Sequence, residues 1–555
     1  MRRRIAQLWR TLSVTGVLVG TLFFAASLTP SLVPRPFAMQ GVLSGFSLAA
    51  GYTVGVFGRW LWSYLGLPLP RGRVDLWIKL VASAACTVIV IVFLREASGW
   101  QDSVRELMEM PPVEGTRPFS VGLIALGVFM ALLGFARLFR LTSQWFAQRF
   151  GRIVPPHVSQ VVAVAAAVAL FWSLIDGVLY RFALQSADSS FQQLDALIED
   201  ELDAPQRAEL AGSGASLIDW EGLGRQGRRH VSSGPTAGEI TEFHGAPALQ
   251  PIRVYVGLNS ADSVEARAQL ALAELQRSGA FERSVLVIVT PTGTGWVDPA
   301  AMDPVEYLHR GDIASVAVQY SYLPSWLSLL SQSGYGAETA RAVFHAVYDH
   351  WRALPRDDRP RLYLHGLSLG ALNSERSADI YDVVGDPYHG ALWSGPPFRS
   401  ETWRWITSSR NRGSPAWLPE FRDGSVIRFM NQHGMPSRPG QRWGPLRIVY
   451  LQYASDPITF FEPGALWREP EWMQAPRGPD VSPRLRWFPI VTMLQLGADI
   501  AAGAPAPVGY GHDYAAEHYI DAWIEVTDPR DWTAGDTARL KLKFDHRTGR
   551  EALYE

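Results

Sequence analysis

Arg361-Leu-Tyr-Leu-His-Gly-Leu-Ser-Leu-Gly-Ala371 decides how this chain is read. An apolar run of strand character leads without a break into Gly366-Leu-Ser-Leu-Gly370, and a segment of helical character follows. Glycines at these two places permit a sharp turn from strand to helix. Such a turn lifts a serine hydroxyl above the sheet and aims the next backbone N–H at an oxyanion forming there. Ser368 is therefore the candidate nucleophile, and the Leu369 amide the candidate first oxyanion donor.

The same rhythm extends on both sides. Apolar runs at 252–257, 284–290, 313–320, 361–365, 391–394 and 446–453 alternate with longer segments of helical character. That pattern predicts βαβ units and a mostly parallel sheet, with the site beyond the carboxyl ends of the strands. Serine needs a base to take its proton, and in this arrangement an acid and then a histidine follow it along the chain. Asp456 ends the strand-like run Arg447-Ile-Val-Tyr-Leu-Gln-Tyr-Ala-Ser-Asp456, which gives it the acid's place; Asp480 lacks such a strand. His512, in the loop Gly509-Tyr-Gly-His-Asp-Tyr514 before a C-terminal helical segment, has the place of the base. His365 precedes the elbow within its strand and His518 falls inside the final helical segment, so both are read as structural. The proposed chemistry needs His512 neutral, so activity should fall in acid. A second oxyanion donor is expected from Pro291-Thr-Gly-Thr-Gly-Trp-Val-Asp298, with Thr292, Gly293 and Thr294 as candidates.

Before residue 185 the sequence changes character. Five apolar stretches, 13–33, 41–62, 77–94, 119–137 and 158–180, approach the roughly 20 residues that a bilayer core requires. The first, preceded by Arg2, Arg3, Arg4 and Arg10, is read as an uncleaved anchor because its uncharged run continues to Pro34. Basic residues recur at alternate ends: the N-terminus, then Arg71 and Arg73, then Arg140, Arg149 and Arg152. Placing these ends inside sends the chain out of the fifth span on the outer face, with the catalytic part outside the cytoplasm. The pairs Gly16/Gly20 and Gly51/Gly55 suit close helix contact. Three domains are thus expected: a membrane domain over 1–185, a juxtamembrane linker over 186–250 and a catalytic domain over 251–555.

Composition narrows the classes further. A formal charge of −2 without a basic face argues against nucleic-acid binding. The single cysteine, Cys86, permits neither an intrachain disulfide nor a cysteine zinc cluster. The histidines form no ligand-spaced pair, and no glycine-rich nucleotide loop follows a strand suitably, so neither a metal nor a cofactor is expected.

Six motifs together resemble one family: Ser27-Leu-Thr-Pro-Ser-Leu-Val-Pro34, Thr292-Gly-Thr-Gly-Trp-Val297, the elbow at Ser368, Gly395-Pro-Pro-Phe398, Ser455-Asp-Pro457 and Gly509-Tyr-Gly-His512. The chain resembles the bacterial membrane-anchored α/β-hydrolases, which join a multi-span hydrophobic N-terminal domain to a catalytic domain. The resemblance implies an α-helical membrane domain, here of about five spans, followed by an α/β-hydrolase fold with a triad on Ser368, Asp456 and His512. An acidic residue often precedes the serine in that family; here the position is Leu367. The resemblance indicates no substrate. Membrane anchoring, and the Trp-, Pro- and Leu-rich stretch between Asp456 and His512, point to an ester of a lipid or other lipophilic acyl group. That stretch could line an acyl pocket, form a lid or be ordinary core. An extracytoplasmic acyltransferase using the same triad, and a non-catalytic membrane scaffold or transporter, are the competing readings.

Overall fold

The computed structural model describes residues 12–545 except 114, 116, 181–194, 197–201, 324–333, 437–439 and 502–505. It divides the chain into two compact units, and the division does not follow chain order. The first comprises residues 1–186 together with 462–474 and 479–505; the second comprises 187–461, 475–478 and 506–555.

In the first unit the apolar stretches are helices: α1 (Val14–Ser27), α2 (Phe37–Tyr64), α3 (Arg73–Arg105), α4 (Pro118–Phe150) and α5 (Pro156–Trp172), the last continuing as a π-helical turn over Ser173–Tyr180. Among the described residues, four helical segments, starting at Phe37, Arg73, Pro118 and Pro156, are long and apolar enough to cross a membrane. Trp60, Trp77, Leu123, Leu141 and Val161 stand exposed along them, a surface suited to lipid. The expected count of five is revised for the first stretch. Its helix ends at Ser27, and 14 residues rise only about 21 Å, short of a hydrocarbon core of about 30 Å. Close helix contact at the glycine pairs is observed. A Cβ on Gly20 would lie 2.8 Å from the Leu48 carbonyl oxygen, and one on Gly51 would lie 2.7 Å from that of Val19.

From Leu28 to Arg35 the chain is not helical, yet it is buried throughout. Backbone groups taken out of water need partners, and here side chains supply them. The helix Val491–Ala501, from the stretch between Asp456 and His512, packs against α1 and α2. Its Asp499 accepts from Ser31 Oγ at 2.8 Å and from the Leu32 amide at 3.2 Å, and it lies 3.6 Å from Arg35 Nε. One turn earlier, Gln495 Nε2 donates to the Thr29 carbonyl at 3.0 Å. On α3, Gln101 Oε1 accepts the Arg35 amide and Ser103 Oγ meets Ser482 Oγ at 2.9 Å. The side chains of Arg35 and Asp499 are both wholly buried. Removing one partner of such a pair strands a charge, at a cost of roughly 3–5 kcal/mol.

The second unit is built on a seven-stranded sheet in the order β1-β3-β2-β4-β5-β7-β6, parallel throughout. The strands are β1 (Ile252–Val256), β2 (Val285–Thr290), β3 (Ile313–Val318), β4 (Arg361–Leu367), β5 (Gly390–Ser394), β6 (Ile427–Met430) and β7 (Arg447–Leu451). The helix Val264–Arg277 covers β1 and β3, and Ala516–Thr527 covers β5 and β7. Buried on both faces, β2 and β3 have to be uninterrupted runs of apolar and small residues, as their sequences are. Register sets Thr290 beside Gly366, Leu367 beside Ser394, and Ser394 beside Leu451. The loops after β2, β4, β5 and β7 therefore emerge as neighbours, one strand spacing apart.

Two expected boundaries change. Residues 186–250, read as a linker, belong in their described part to the second unit. Gly227 packs against the Tyr255 ring, and the His230 carbonyl accepts from Arg253 Nη1 at 2.8 Å. Arg253, buried on β1, also holds Glu306 at 2.7 Å and Asp303 at 2.6 Å. Nor is 251–555 one continuous domain, since most of 462–505 folds with the membrane helices. Residues 251–555 produced alone would uncover both β1 and the buried face of Val491–Ala501. We expect that fragment to aggregate on size-exclusion chromatography while the full chain in detergent stays monodisperse; a soluble fragment with a cooperative melt would contradict this division.

Candidate active site

At the end of β4 the backbone reverses at Ser368 with φ 57° and ψ −123°, a conformation that costs a non-glycine residue of order 1–3 kcal/mol. The flanking glycines explain why the turn can form. A Cβ on Gly366 would strike the backbone of Gly370, and one on Gly370 would strike the Thr290 carbonyl oxygen and lie 3.1 Å from that of Pro291. The Ser368 amide donates to the Ser394 carbonyl at 2.9 Å, fixing the turn to the end of β5. Leu369 opens the helix Leu369–Glu375, so its N–H is among the first-turn amides that lack an intrahelical acceptor.

Asp456, fully buried after β7, caps the short helix Pro457–Phe460. Its Oδ1 accepts the Ile458 amide at 2.8 Å and the Thr459 amide at 3.3 Å. The other oxygen accepts from Thr459 Oγ1 at 3.0 Å and Tyr514 Oη at 2.8 Å, and lies 2.7 Å from His512 Nδ1. With every direction around the carboxylate fixed, the His512 ring is held with Nδ1–H toward Asp456 and Nε2 left as the acceptor. Among the described residues that Nε2 is buried without a hydrogen-bond partner. The ring lies over Gly395, where a Cβ would be 2.7 Å from Cε1, so it stands directly after the residue that receives the Ser368 amide. Burial and the adjoining Asp456 carboxylate push the Tyr514 phenol well above its usual range, which keeps it a donor. Sequence reasoning overlooked Tyr514, Thr459 and Ser455, whose Oγ accepts the Gly511 amide at 2.9 Å. The first two lie within three residues of His512 and Asp456, and that proximity was the available signal.

His365 and His518 are engaged elsewhere. Nδ1 of His365 meets the Leu392 carbonyl at 2.8 Å, and burial lowers its pKa to about 4. The ring of His518 is engaged by Tyr453 Oη at 2.6 Å. Asp480, the competing acid, falls in the part of the chain that folds with the membrane helices.

The loop after β2 flanks the elbow, and the Thr292 amide is engaged within it. The Thr292 amide donates to the Trp296 carbonyl at 2.9 Å and the Gly295 amide returns to Thr292 at 3.0 Å, closing a tight turn. Side chains behind the neighbouring strands pin its carbonyls: Tyr255 Oη donates to Gly295 at 2.7 Å and Gln319 Nε2 to Thr294 at 3.2 Å. Gly295, at φ 86°, is where the turn requires glycine. The loop ends on buried Asp298, which accepts the Ala300 amide at 2.9 Å and hydrogen-bonds Tyr519; Tyr519 in turn meets Ser394 Oγ at 2.8 Å. This chain of groups joins the loop, the elbow and the helix after His512. No cluster of metal-ligating side chains occurs among the described residues.

Comparison with known families agrees with this architecture. Residues 252–540 match a family described as the alpha/beta-hydrolase family, and residues 28–235 match the family described as its N-terminus. No curated protein and no solved structure matches the chain.

Burial raises the Asp298 carboxyl to about 7. Its folded form therefore holds a proton that the unfolded form has already lost, and this contribution to stability declines as pH rises from about 4 to about 7. Asp298→Asn mimics the protonated acid and can keep the helix cap. It should match the wild type near pH 4 and exceed it near pH 8, by roughly 4 kcal/mol when the shift is fully expressed. Thermal melts at the two pH values check this.

Proposed function

Because the chain belongs to the alpha/beta-hydrolase family, we propose that it is an integral-membrane serine hydrolase that cleaves a lipophilic ester through an acyl-enzyme. One observation supports the reading: a buried carboxylate holds Nδ1 of His512 at 2.7 Å, its Nε2 has no partner among the described residues, and its ring packs over Gly395, the residue after the Ser394 whose carbonyl accepts the Ser368 amide. In the proposed cycle Ser368 Oγ passes its proton to Nε2 and attacks the ester carbonyl. Asp456 stabilises the imidazolium without taking its proton. The Leu369 amide and a donor from the Gly293–Thr294 turn receive the oxyanion. The imidazolium then protonates the departing alcohol, and water, activated by the same histidine, releases the acid and restores Ser368.

Apolar groups on the same loops support a lipophilic acyl chain. Phe398 follows Gly395 and pairs with Phe461 at 4.8 Å between ring centroids, and its amide donates to the Ile458 carbonyl beside Asp456. Trp296 projects from the loop after β2.

We further place the protein in the cell membrane with its catalytic unit outside the cytoplasm. Within the membrane unit, the segment 479–505 touches the α1–α2 connection and the C-terminal end of α3, so these ends share one side. If α2 to α5 each cross, the chain leaves α5 on that side too. Arg71, Arg73, Arg140, Arg149 and Arg152 cluster at the opposite ends, as the positive-inside rule requires of a cytoplasmic face.

Detergent-solubilised protein should hydrolyse medium-chain aryl esters without an added alcohol acceptor, and Ser368→Ala and His512→Ala should each lower kcat by roughly 10³-fold or more. Release that depends on an alcohol acceptor would favour acyl transfer. Turnover undiminished in Ser368→Ala would refute the triad.

A further inference from the structure

The carboxylate oxygen that faces His512 is shared. Asp456 Oδ1 accepts two amides, while Oδ2 is met by three groups at once: His512 Nδ1 at 2.7 Å, Tyr514 Oη at 2.8 Å and Thr459 Oγ1 at 3.0 Å. A carboxylate oxygen offers about two lone-pair sites. Three donors on Oδ2 therefore compete for the same charge, and what the two hydroxyls draw off is withheld from the imidazole.

Tyr514 is held in that role. Its side chain is fully buried, and its ring stacks on Tyr453 with centroids 4.4 Å apart and planes at 22°. Tyr453 Oη accepts the Ala515 amide at 3.0 Å, and the Tyr453 carbonyl accepts the Asp456 amide at 3.1 Å. One tyrosine thus sets both the phenol and the acid to which the phenol donates. The His512 ring stands edge-on to the Tyr514 ring at 5.9 Å. Burial and the adjoining carboxylate keep the phenol protonated well above its usual range, so it donates at every pH at which an ester can be assayed. The other titratable groups packed around this pair are Tyr453 with His518, Tyr519 with Asp298, and Asp513 in the same loop; the loop after β5 meets the His512 ring with Gly395.

In acylation the C–O bond of the tetrahedral intermediate breaks as the Nε2 proton passes to the alcohol oxygen, leaving the acyl-enzyme and a neutral imidazole. An aliphatic alkoxide departs only with that proton, whereas a phenolate can depart without it. Resting on the serine-hydrolase reading, we infer that Tyr514 and Thr459 are positioning residues of the triad: their hydroxyls fix Asp456 Oδ2 against Nδ1 and take up part of its charge, so that the imidazolium surrenders its proton readily to an aliphatic alcohol. The natural substrate is then an alkyl ester. Neither hydroxyl touches a reacting atom, and both act only through Asp456.

The test uses the full chain in detergent with Tyr514→Phe, Thr459→Val and Thr459→Ser. A fluorophosphonate counts competent sites, and kcat and KM per labelled site are followed against pH for an alkyl and an aryl ester of one acid. Without the phenol hydroxyl, Oδ2 holds the imidazolium more tightly. In Tyr514→Phe the acid limb of kcat/KM is therefore expected to move up by about 0.5–1 pH unit. Its kcat on the alkyl ester should fall about three- to tenfold and that on the aryl ester less than about twofold, with KM within about twofold for both. Thr459→Val should show the same changes at about half the size, and Thr459→Ser, which keeps a hydroxyl, should restore the wild-type profile. An acid limb that stays in place or moves down overturns the inference, as does a loss equal for the two esters at every pH, since the hydroxyls would then merely stabilise the fold. Should Tyr514→Phe not fold, Thr459→Val is judged by the same criteria. Turnover that survives Ser368→Ala would instead remove the hydrolase reading beneath it.

Discussion

The constraint on which the rest of the second unit depends is the backbone at Ser368. A serine at φ 57° is unfavourable by itself, and it persists only because the surrounding structure leaves the chain no alternative. Gly366 and Gly370 let the strand and the following helix approach each other and the end of β2 within contact distances that exclude any side chain. The Ser368 amide is taken by β5. The parallel register then does the remaining placement, because four adjacent strands end together and each delivers one loop of the site. Sheet order thus gathers the candidate site: Ser368, Asp456, His512 and the loop after β2 are distant in sequence and gathered at the strand ends.

A second theme is how buried polar groups are made to specify the fold. Asp456 accepts from two amides, a threonine and a tyrosine in addition to its histidine, so its geometry is over-determined. Arg253 links the region before β1 to Asp303 and Glu306. Asp499 links two segments more than 460 residues apart in the chain. None of these groups is cheap to bury, and each discriminates against misplacement, because moving one partner leaves another charge or donor without an answer. Such contacts do more to select one arrangement than to add net stability.

Most of the candidate site was legible in the sequence because its determinants are local. The elbow needs glycines at fixed spacing, the central strands read as apolar runs, and Asp456 and His512 occupy loops that follow recognisable elements. What escaped has a common cause. The edge strand β6 is four residues long and carries Arg428. The region before β1 looked like a linker since its helix Gly224–Ser232 is mostly glycine and charged residues, and its burial of Arg228 depends on partners elsewhere. The stretch between Asp456 and His512 read equally as pocket, lid or core; its seat among the membrane helices depends on Asp499 meeting Arg35, which no local pattern announces. The engagement of the Thr292 amide likewise follows from the turn's closure at Trp296, a detail of conformation that residue types do not encode.

The most direct test of the central claim is to treat the full-length protein in detergent with a fluorophosphonate and map the adduct by peptide mass spectrometry. The triad account expects one stoichiometric modification on the peptide bearing Ser368, abolished in Ser368→Ala and greatly slowed in His512→Ala. Folded protein that remains unmodified, or an adduct on another residue that persists in Ser368→Ala, would contradict it.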